Sequence, residues 1–324
     1  MTHNLYIPHE IVLQILETTI PPGRPNRIVD VGHADVQNLI AWSRVCRATY
    51  EPATRFLRQH CVYIDSITRL TRFLRCLADS KDSEDNGPLA TLPKVMRLSE
   101  VSSVYLGLSM EEIQSVRTGG LIRDLLVKLG SSVRRLIVDL PYRRIAQQYS
   151  IDVHIDALFS QGLRALTNLE ELTTLGGLPV LEFWRAGLEL GGIWPKMRRL
   201  SGFKINLGEE ALWYNVARAR TLEHLVIAMP YVLRRESWNI KRSIGGKEWN
   251  LEEGGDSSYA RPFKVVVAHH EYSAPLIDMD DANIYDPSGM LDVSTVEIPV
   301  IAKRVDWVCK DWLVKSAMAD TLWD

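Results

Sequence analysis

The sequence predicts a chain of mixed class, α+β at its start and α/β through its larger part. A small N-terminal three-helix unit is followed by an irregular solenoid of alternating strands and helices. Three observations predict this. Amphipathic runs of helical period crowd the opening residues. A motif of one apolar residue, two polar positions and leucine then returns through residues 133–225. Helix-like segments fill the spaces between its copies, the alternation expected of strand–helix units.

The first helix spans residues 8–18. Pro8 suits a first-turn position, where its missing N–H costs nothing, and Glu10 complements the helix dipole. Ile11, Ile15 and Thr18 share a stripe, with Val12 and Leu16 beside it. Pro21, Pro22 and Pro25 stop the helix. GRPNRIVDVGHA reads as a loop, and Asp35 is placed to cap a second helix through VQNLIAWSRVC. ATYEPATRFLRQH gives the third, with Pro52 taken in its first turn. Such a unit is too small for a generous core of its own. HCVYID (60–65) then reads as a strand, and SITRLTRFLRCLAD (66–79) as a helix with Ile67, Leu70, Phe73, Leu74 and Leu77 on its apolar side. SKDSEDNGP (80–88) is a surface loop before the strand-like KVMRLSEV.

The repeat appears in SSVRRLIVDLP (131–141), LTNLEELTTLGGLP (166–179), WPKMRRLSGFKI (194–205) and ARTLEHLVIAMP (219–230). Its pairs are Val133 and Leu136, Leu169 and Leu172, Met197 and Leu200, Leu222 and Leu225, with leucine offsets of 36, 28 and 25 residues. HIDALFSQGLRAL (154–166) and GEEALWYNVARA (208–219) lie between copies as helix candidates. This is the pattern of an irregular leucine-rich-repeat-like solenoid, in which one unit cannot bury its own apolar face and stacked units share a core. An ordinary α/β layer with coincidental leucines competes with it, because regular asparagines are missing and the period drifts. Residues 234–261 form a polar, glycine-rich insertion carrying Trp238 and Trp249. PFKVVVAHHEY (262–272) is a strand and SAPLIDMDDANIYDPSG (273–289) a loop. VIAKRVDWVCKDWLVKSAMADTLWD (300–324) is a closing helix whose Val305, Val308, Trp312, the Leu313 neighbourhood and Ala319 are placed to cap the stack. The expected divisions are 1–60 for the helical unit, 61–275 for the solenoid and 276–324 for the capping segment.

Composition narrows the function classes. The 324 residues, 46% hydrophobic and 24% charged, suit a folded soluble protein of two domains or one domain with an appendage. A net charge of -2 gives no general electrostatic reason to seek nucleic acid or an anionic membrane. Cys46, Cys61, Cys76 and Cys309 lack the close pairing of a zinc site and are too few for a disulfide framework, so they read as reduced thiols in a cytoplasmic or nuclear protein. MTHNLYIPHEIVLQILETT has no basic flank, and Glu10 and Glu17 interrupt it, so it does not read as a signal peptide. No stretch approaches the ~20 apolar residues that span a bilayer.

Chemical motifs are scarce. His269 and His270 beside Glu271 point to opposite faces of a strand and cannot readily share a metal. The acidic run Asp278, Asp280, Asp281 and Asp286 lacks the glycine and distal glutamate of a calcium loop. Double glycines at 119–120, 176–177, 191–192, 245–246 and 254–255 mark turns, and none opens a phosphate-binding fingerprint. The expectation is therefore no catalytic, metal or cofactor residue and no enzyme. The pairs Arg134–Arg135 and Arg198–Arg199 either keep strand edges soluble or line a solvent face toward an acidic partner. Trp184, Trp194, Trp213, Trp238 and Trp249 are candidate substrate contacts by residue type, with Trp238 and Trp249 foremost.

IPHEIVLQILETT, followed by LIAWSRVCRATYEPATRFLRQHCVYID, resembles the F-box, in the form common in fungal proteins. That motif begins leucine–proline–x–glutamate and runs into an isoleucine- and leucine-rich helix. Ile7-Pro8-His9-Glu10 and then Ile11, Leu13, Ile15 and Leu16 stand at those places here. Its second half has counterparts in Leu39, Ile40, Trp42, Val45, Cys46, Arg47 and Tyr50. The match covers residues 5–60 well and the repeat region by general character. PPGRPNRIVDVGHAD separates the first two helices more than a compact F-box does, a departure that costs little in loop closure. The resemblance implies a non-catalytic substrate-recognition subunit. Residues 5–60 would dock a Skp1-like adaptor of a cullin-based ubiquitin ligase through Ile7, Pro8, Ile11, Ile15, Leu16, Leu39, Val45 and Tyr50, and the repeat region would hold an unknown protein substrate. Catalysis would be supplied in trans, and the chain would contribute proximity. No membrane or nucleic-acid partner is expected, and the chain is otherwise monomeric. An F-box-like scaffold without a ligase role is the alternative; an enzyme in the C-terminal region is the less favoured third.

Overall fold

Pro8 stands immediately ahead of the first helix, α1 (His9–Thr19), and its carbonyl accepts the N–H groups of Ile11 and Val12 at 3.1 and 3.3 Å. The computed structural model describes residues 8–19, 27–79, 100–113, 115–141, 153–176, 190–209, 212, 213, 215, 216, 219–231, 262–270, 289–299 and 304–324. The second helix, α2 (Ala34–Trp42), is capped by His33, whose Nδ1 accepts the Asp35 N–H at 3.3 Å. Asp35, expected as the cap, instead lies in the first turn, where its charge still favours the dipole. The third helix, α3 (Arg47–His60), begins early enough that Pro52 falls in its second turn rather than its first. Thr49 Oγ1 donates to the Trp42 carbonyl at 2.7 Å and ties α3 to α2. Leu16, Leu39 and Ala53 close this unit's small core, with Val12, Trp42, Phe56 and Leu57 against it.

The sheet is built from β1 (Tyr63–Ile64), β2 (Ser103–Gly107), β3 (Arg135–Asp139), β4 (Glu171–Thr174), β5 (Arg199–Phe203), β6 (His224–Ala228), β7 (Phe263–His269) and β8 (Leu291–Glu297). All pair in parallel and in strict sequence order. Each strand is added to the same edge as the last, which gives an open, solenoid-like arrangement. Between them run α4 (Ile67–Asp79), α5 (Val116–Leu129), α6 (Val153–Arg164) and the short α7 (Leu190–Ile193). Parallel neighbours require such crossovers, and the crossovers cover one face of the sheet. The repeat residues Val133, Leu136, Leu169, Leu172, Met197, Leu200, Leu222 and Leu225 are all fully buried in the layer that holds this face together.

Several expectations are corrected. Gly119 and Gly120 lie inside α5 and not in a turn. A β-carbon on Gly119 would meet Leu158 Cδ1 of α6 at 3.2 Å, so glycine there lets the two helices approach closely. β8 lies beyond residue 275, so the sheet continues into the stretch expected to be a cap. The last helix, α8 (Val305–Ala319), does not cover the end of the stack. It lies across the sheet's second face, where its stripe Cys309, Leu313 and Ala317 packs with Ile137, Phe203 and Val226. An amphipathic stripe fixes that a helix is buried on one side; it does not fix which surface does the burying. Residues 234–261 with Trp238 and Trp249, as well as Trp184 and the acidic run 278–286, lie outside the described residues.

Candidate interaction surfaces

The helical unit leaves apolar side chains uncovered. Pro8, Ile11 and Ile15 are exposed on or beside α1, with Ile11 and Ile15 one turn apart on the same side. Tyr50 of α3 is exposed, and Val45, in the turn between α2 and α3, is 65% exposed, so Val45 is not a core residue. Leu16 and Leu39 correct the expected adaptor set. They are buried in the unit's own core and shape this surface from beneath without touching its exterior. Ile7 lies outside the described residues. Cys46, at the head of α3, has its thiol pKa lowered by hydrogen bonding to the Thr49 hydroxyl. Cys61 is pushed up to about 12 by burial and then by the charge of Asp35.

A short strap joins this unit to the rest. Within the stretch read as a loop, Val29 N–H donates to the His60 carbonyl at 2.7 Å, and Ile28 N–H donates to the Met318 carbonyl of α8 at 2.9 Å. Ile28 is buried in the α8 cluster, and Arg58 pairs with Glu100 at 2.6 Å. The stretch between α1 and α2 is therefore used to hold α8.

The second surface is the sheet face beneath and beside α8. Strand register brings Arg135, Glu171, Arg199, His224, Lys264 and Asp292 into one cross-strand row. Arg135 Nε meets Glu171 Oε2 at 3.2 Å and Arg199 meets Glu171 Oε1 at 2.6 Å. Arg135 also donates to the Ala317 carbonyl and lies 3.4 Å from Asp320 Oδ1. Burial lowers the Arg135 pKa, opposed by the carboxylates of Glu171 and Asp320; an arginine so placed stays charged. Trp323 Nε1 donates to Glu171 Oε2 at 3.3 Å, its ring lies 5.8 Å from the Arg199 guanidinium, and His224 stands against it at 6.3 Å. Lys264 Nζ donates to the Asp324 carbonyl at 3.3 Å.

At the other end of α8 a cleft of about 540 Å³ is lined by Tyr105, Asp139, Phe203, Lys204 and Lys310. Lys310 Nζ pairs with Asp139 at 2.7 Å, and Tyr105 OH, stacked on Tyr63, donates to the same carboxylate at 3.4 Å. Burial, then the Asp139 charge, raises the Tyr105 pKa. These contacts neutralise one another, and they set no nucleophile beside a base.

The arginine pairs divide by strand period. Arg134 and Arg198 are exposed and pair with Glu170 at 3.7 Å and Glu223 at 2.9 Å, whereas Arg135 and Arg199 point to the α8 side. Trp194 and Trp213 are core residues, donating to the carbonyls of Leu163 and Leu207 at 2.9 and 2.7 Å, and are not surface contacts. His270 is buried and His269 half-buried. Among the described residues no group of three His, Cys, Asp or Glu side chains is arranged to hold a metal, and no helix is long and apolar enough to cross a membrane. No protein-family model, curated protein or solved structure matches the chain. Fold and surfaces together define a class of arrangement: a three-helix unit with uncovered apolar side chains, joined to a solenoid-like parallel sheet.

Proposed function

We propose that this chain is a non-catalytic substrate-recognition subunit of a Skp1–cullin type ubiquitin ligase, with residues 5–60 as its F-box and the repeat region as an irregular leucine-rich substrate domain. One observation carries the reading. Pro8, Ile11, Ile15, Val45 and Tyr50 are exposed on a unit whose core is already closed by Leu16, Leu39 and Ala53. Apolar side chains left outside a filled core are the raw material of a protein interface, whose desolvated centre carries most of its affinity. The chain itself makes and breaks no bond in this role. It holds a target near a charged E2 enzyme and raises the local concentration of acceptor lysines.

The test is capture of purified Skp1 by the full chain, comparing wild type with Pro8→Ala plus Ile11→Asp. Loss of central anchors is expected to cost about 2 kcal/mol or more, roughly thirtyfold in affinity, with an unchanged circular-dichroism spectrum. Absence of capture by wild type favours the alternative, an F-box-like scaffold with no ligase role.

A further inference from the structure

The row Arg135–Glu171–Arg199–His224–Lys264–Asp292 is poorly explained as a device for stability. Arg135 and Glu171 are almost wholly removed from water, with side chains 4% and 9% exposed. Apolar residues of similar volume do that work as well or better, because charges must be desolvated on burial. What such a row does well is to specify what lies on it. It presents three cations, Arg135, Arg199 and Lys264, against two carboxylates, Glu171 and Asp292. The segment seated there answers it residue by residue: Asp320 to Arg135, Trp323 to Glu171, Arg199 and His224, and the Asp324 carbonyl to Lys264. The helix before it supplies the small apolar stripe Cys309, Leu313 and Ala317. The row also outruns its occupant: Asp292 and Val296 on β8 are exposed.

We propose that the second face of the sheet is a docking groove for an amphipathic helix of a partner protein that ends in an acidic residue followed by a tryptophan, and that α8 with residues 320–324 is the chain's own occupant of that groove. This is helix-in-groove recognition, with apolar anchors at helical spacing and a charged end that fixes direction. It rests on the reading above only in treating the sheet as the substrate domain. A partner segment of the same chemistry competes with α8, and the intramolecular contact keeps weak competitors out.

The probe is a fluorescein-labelled synthetic peptide of residues 304–324, with a control peptide carrying Asp320→Asn and Trp323→Ala. The full chain with Trp323→Ala, whose own segment is loosened, is expected to bind the probe at least tenfold more tightly than wild type. The control peptide is expected to bind at least tenfold more weakly than the probe, and Lys264→Ala added to the Trp323→Ala chain to weaken it severalfold. Equal binding by wild type and the Trp323→Ala chain overturns the proposal, as does equal binding of the two peptides, which reduces the groove to a site for any apolar helix. If Trp323→Ala unfolds the chain, Trp323→Phe, which keeps an aromatic ring and gives up the pyrrole half of the indole with its N–H to Glu171, takes its place under the same criteria. No adaptor enters this assay. A chain that captures Skp1 and ignores the peptide sinks the groove alone, and one that binds the peptide without capturing Skp1 sinks the ligase reading alone.

Discussion

Arg135 and Glu171 face one another across β3 and β4, Nε to Oε2 at 3.2 Å, buried on the sheet's second face. Glu171 holds Arg199 and Trp323 as well, and Arg135 holds Asp320 and the Ala317 carbonyl. Two carboxylates and two guanidiniums thus join β3, β4, β5 and the C-terminal segment, four stretches distant in sequence.

Breaking this cluster on one side should be costly. Glu171→Ala leaves Arg135 buried with a single carboxylate and is expected to lower stability by about 3 kcal/mol or more in urea unfolding. The double change Arg135→Met plus Glu171→Leu removes the two most buried of the four charges and should recover part of that loss, the partly exposed Asp320 and Arg199 keeping access to water. A double variant no more stable than Glu171→Ala would contradict this account.

The helical unit separates packing from surface. Leu39→Ala empties part of its core and is expected to cost about 2–5 kcal/mol, read as faster hydrogen exchange across α1–α3. Val45→Asp, on an exposed turn, should shift stability by less than about 0.5 kcal/mol while reducing Skp1 capture. The reverse ranking would place Val45 in the core.

Stability should fall on mild acidification. His60 has its pKa lowered by burial, partly offset by the Arg27 carbonyl; His224 has its pKa lowered by burial and then by Arg199, with Lys264 and Arg198 adding to this and Glu223 opposing it. Each binds fewer protons folded than unfolded. Their contribution is therefore full above the unfolded value of about 6.5 and is lost as pH drops below it toward the folded values. The melting temperature should decrease from about pH 7.5 to about pH 5.5, and a chain with His60→Gln and His224→Gln should lose less over that interval. An identical slope in both proteins would count against these two groups.

Glycine positions give a matched pair. A β-carbon at Gly130 would collide with the backbone carbonyl of Ala165 in the next strand–helix unit, whereas one at Gly120 would meet nothing within 4 Å. Gly130→Ala is expected to destabilise by about 1–3 kcal/mol. Gly120→Ala, inside α5, is expected to stabilise by up to about 1 kcal/mol. Denaturant midpoints of the two variants on opposite sides of wild type are the check.

Much of the fold was legible because its signals are local. The motif of apolar residue, two polar positions and leucine located β3, β4, β5 and β6, since each copy places its leucine on the covered face whatever its neighbours do. The helical patterns located α1, α4 and α6 within a residue or two, whereas the closing helix was expected over 300–324 and α8 spans Val305–Ala319, five residues shorter at each end. Leu16 and Leu39, expected on the outer surface, stand in the unit's own core because a helical period marks an apolar side without saying which of its members turn inward. β8 escaped because its sequence, LDVSTVE, is half exposed and carries no leucine repeat.

The sequence by itself determined that a helical unit precedes stacked strand–helix units, and that an arginine pair stands directly ahead of the leucine in two of the repeats. Only the tertiary structure decided that Arg135 and Arg199 share Glu171, and that α8 crosses the second face and is strapped there by Ile28. Register and docking join residues far apart along the chain, and a contact of that kind leaves no periodic trace in either of the segments that make it.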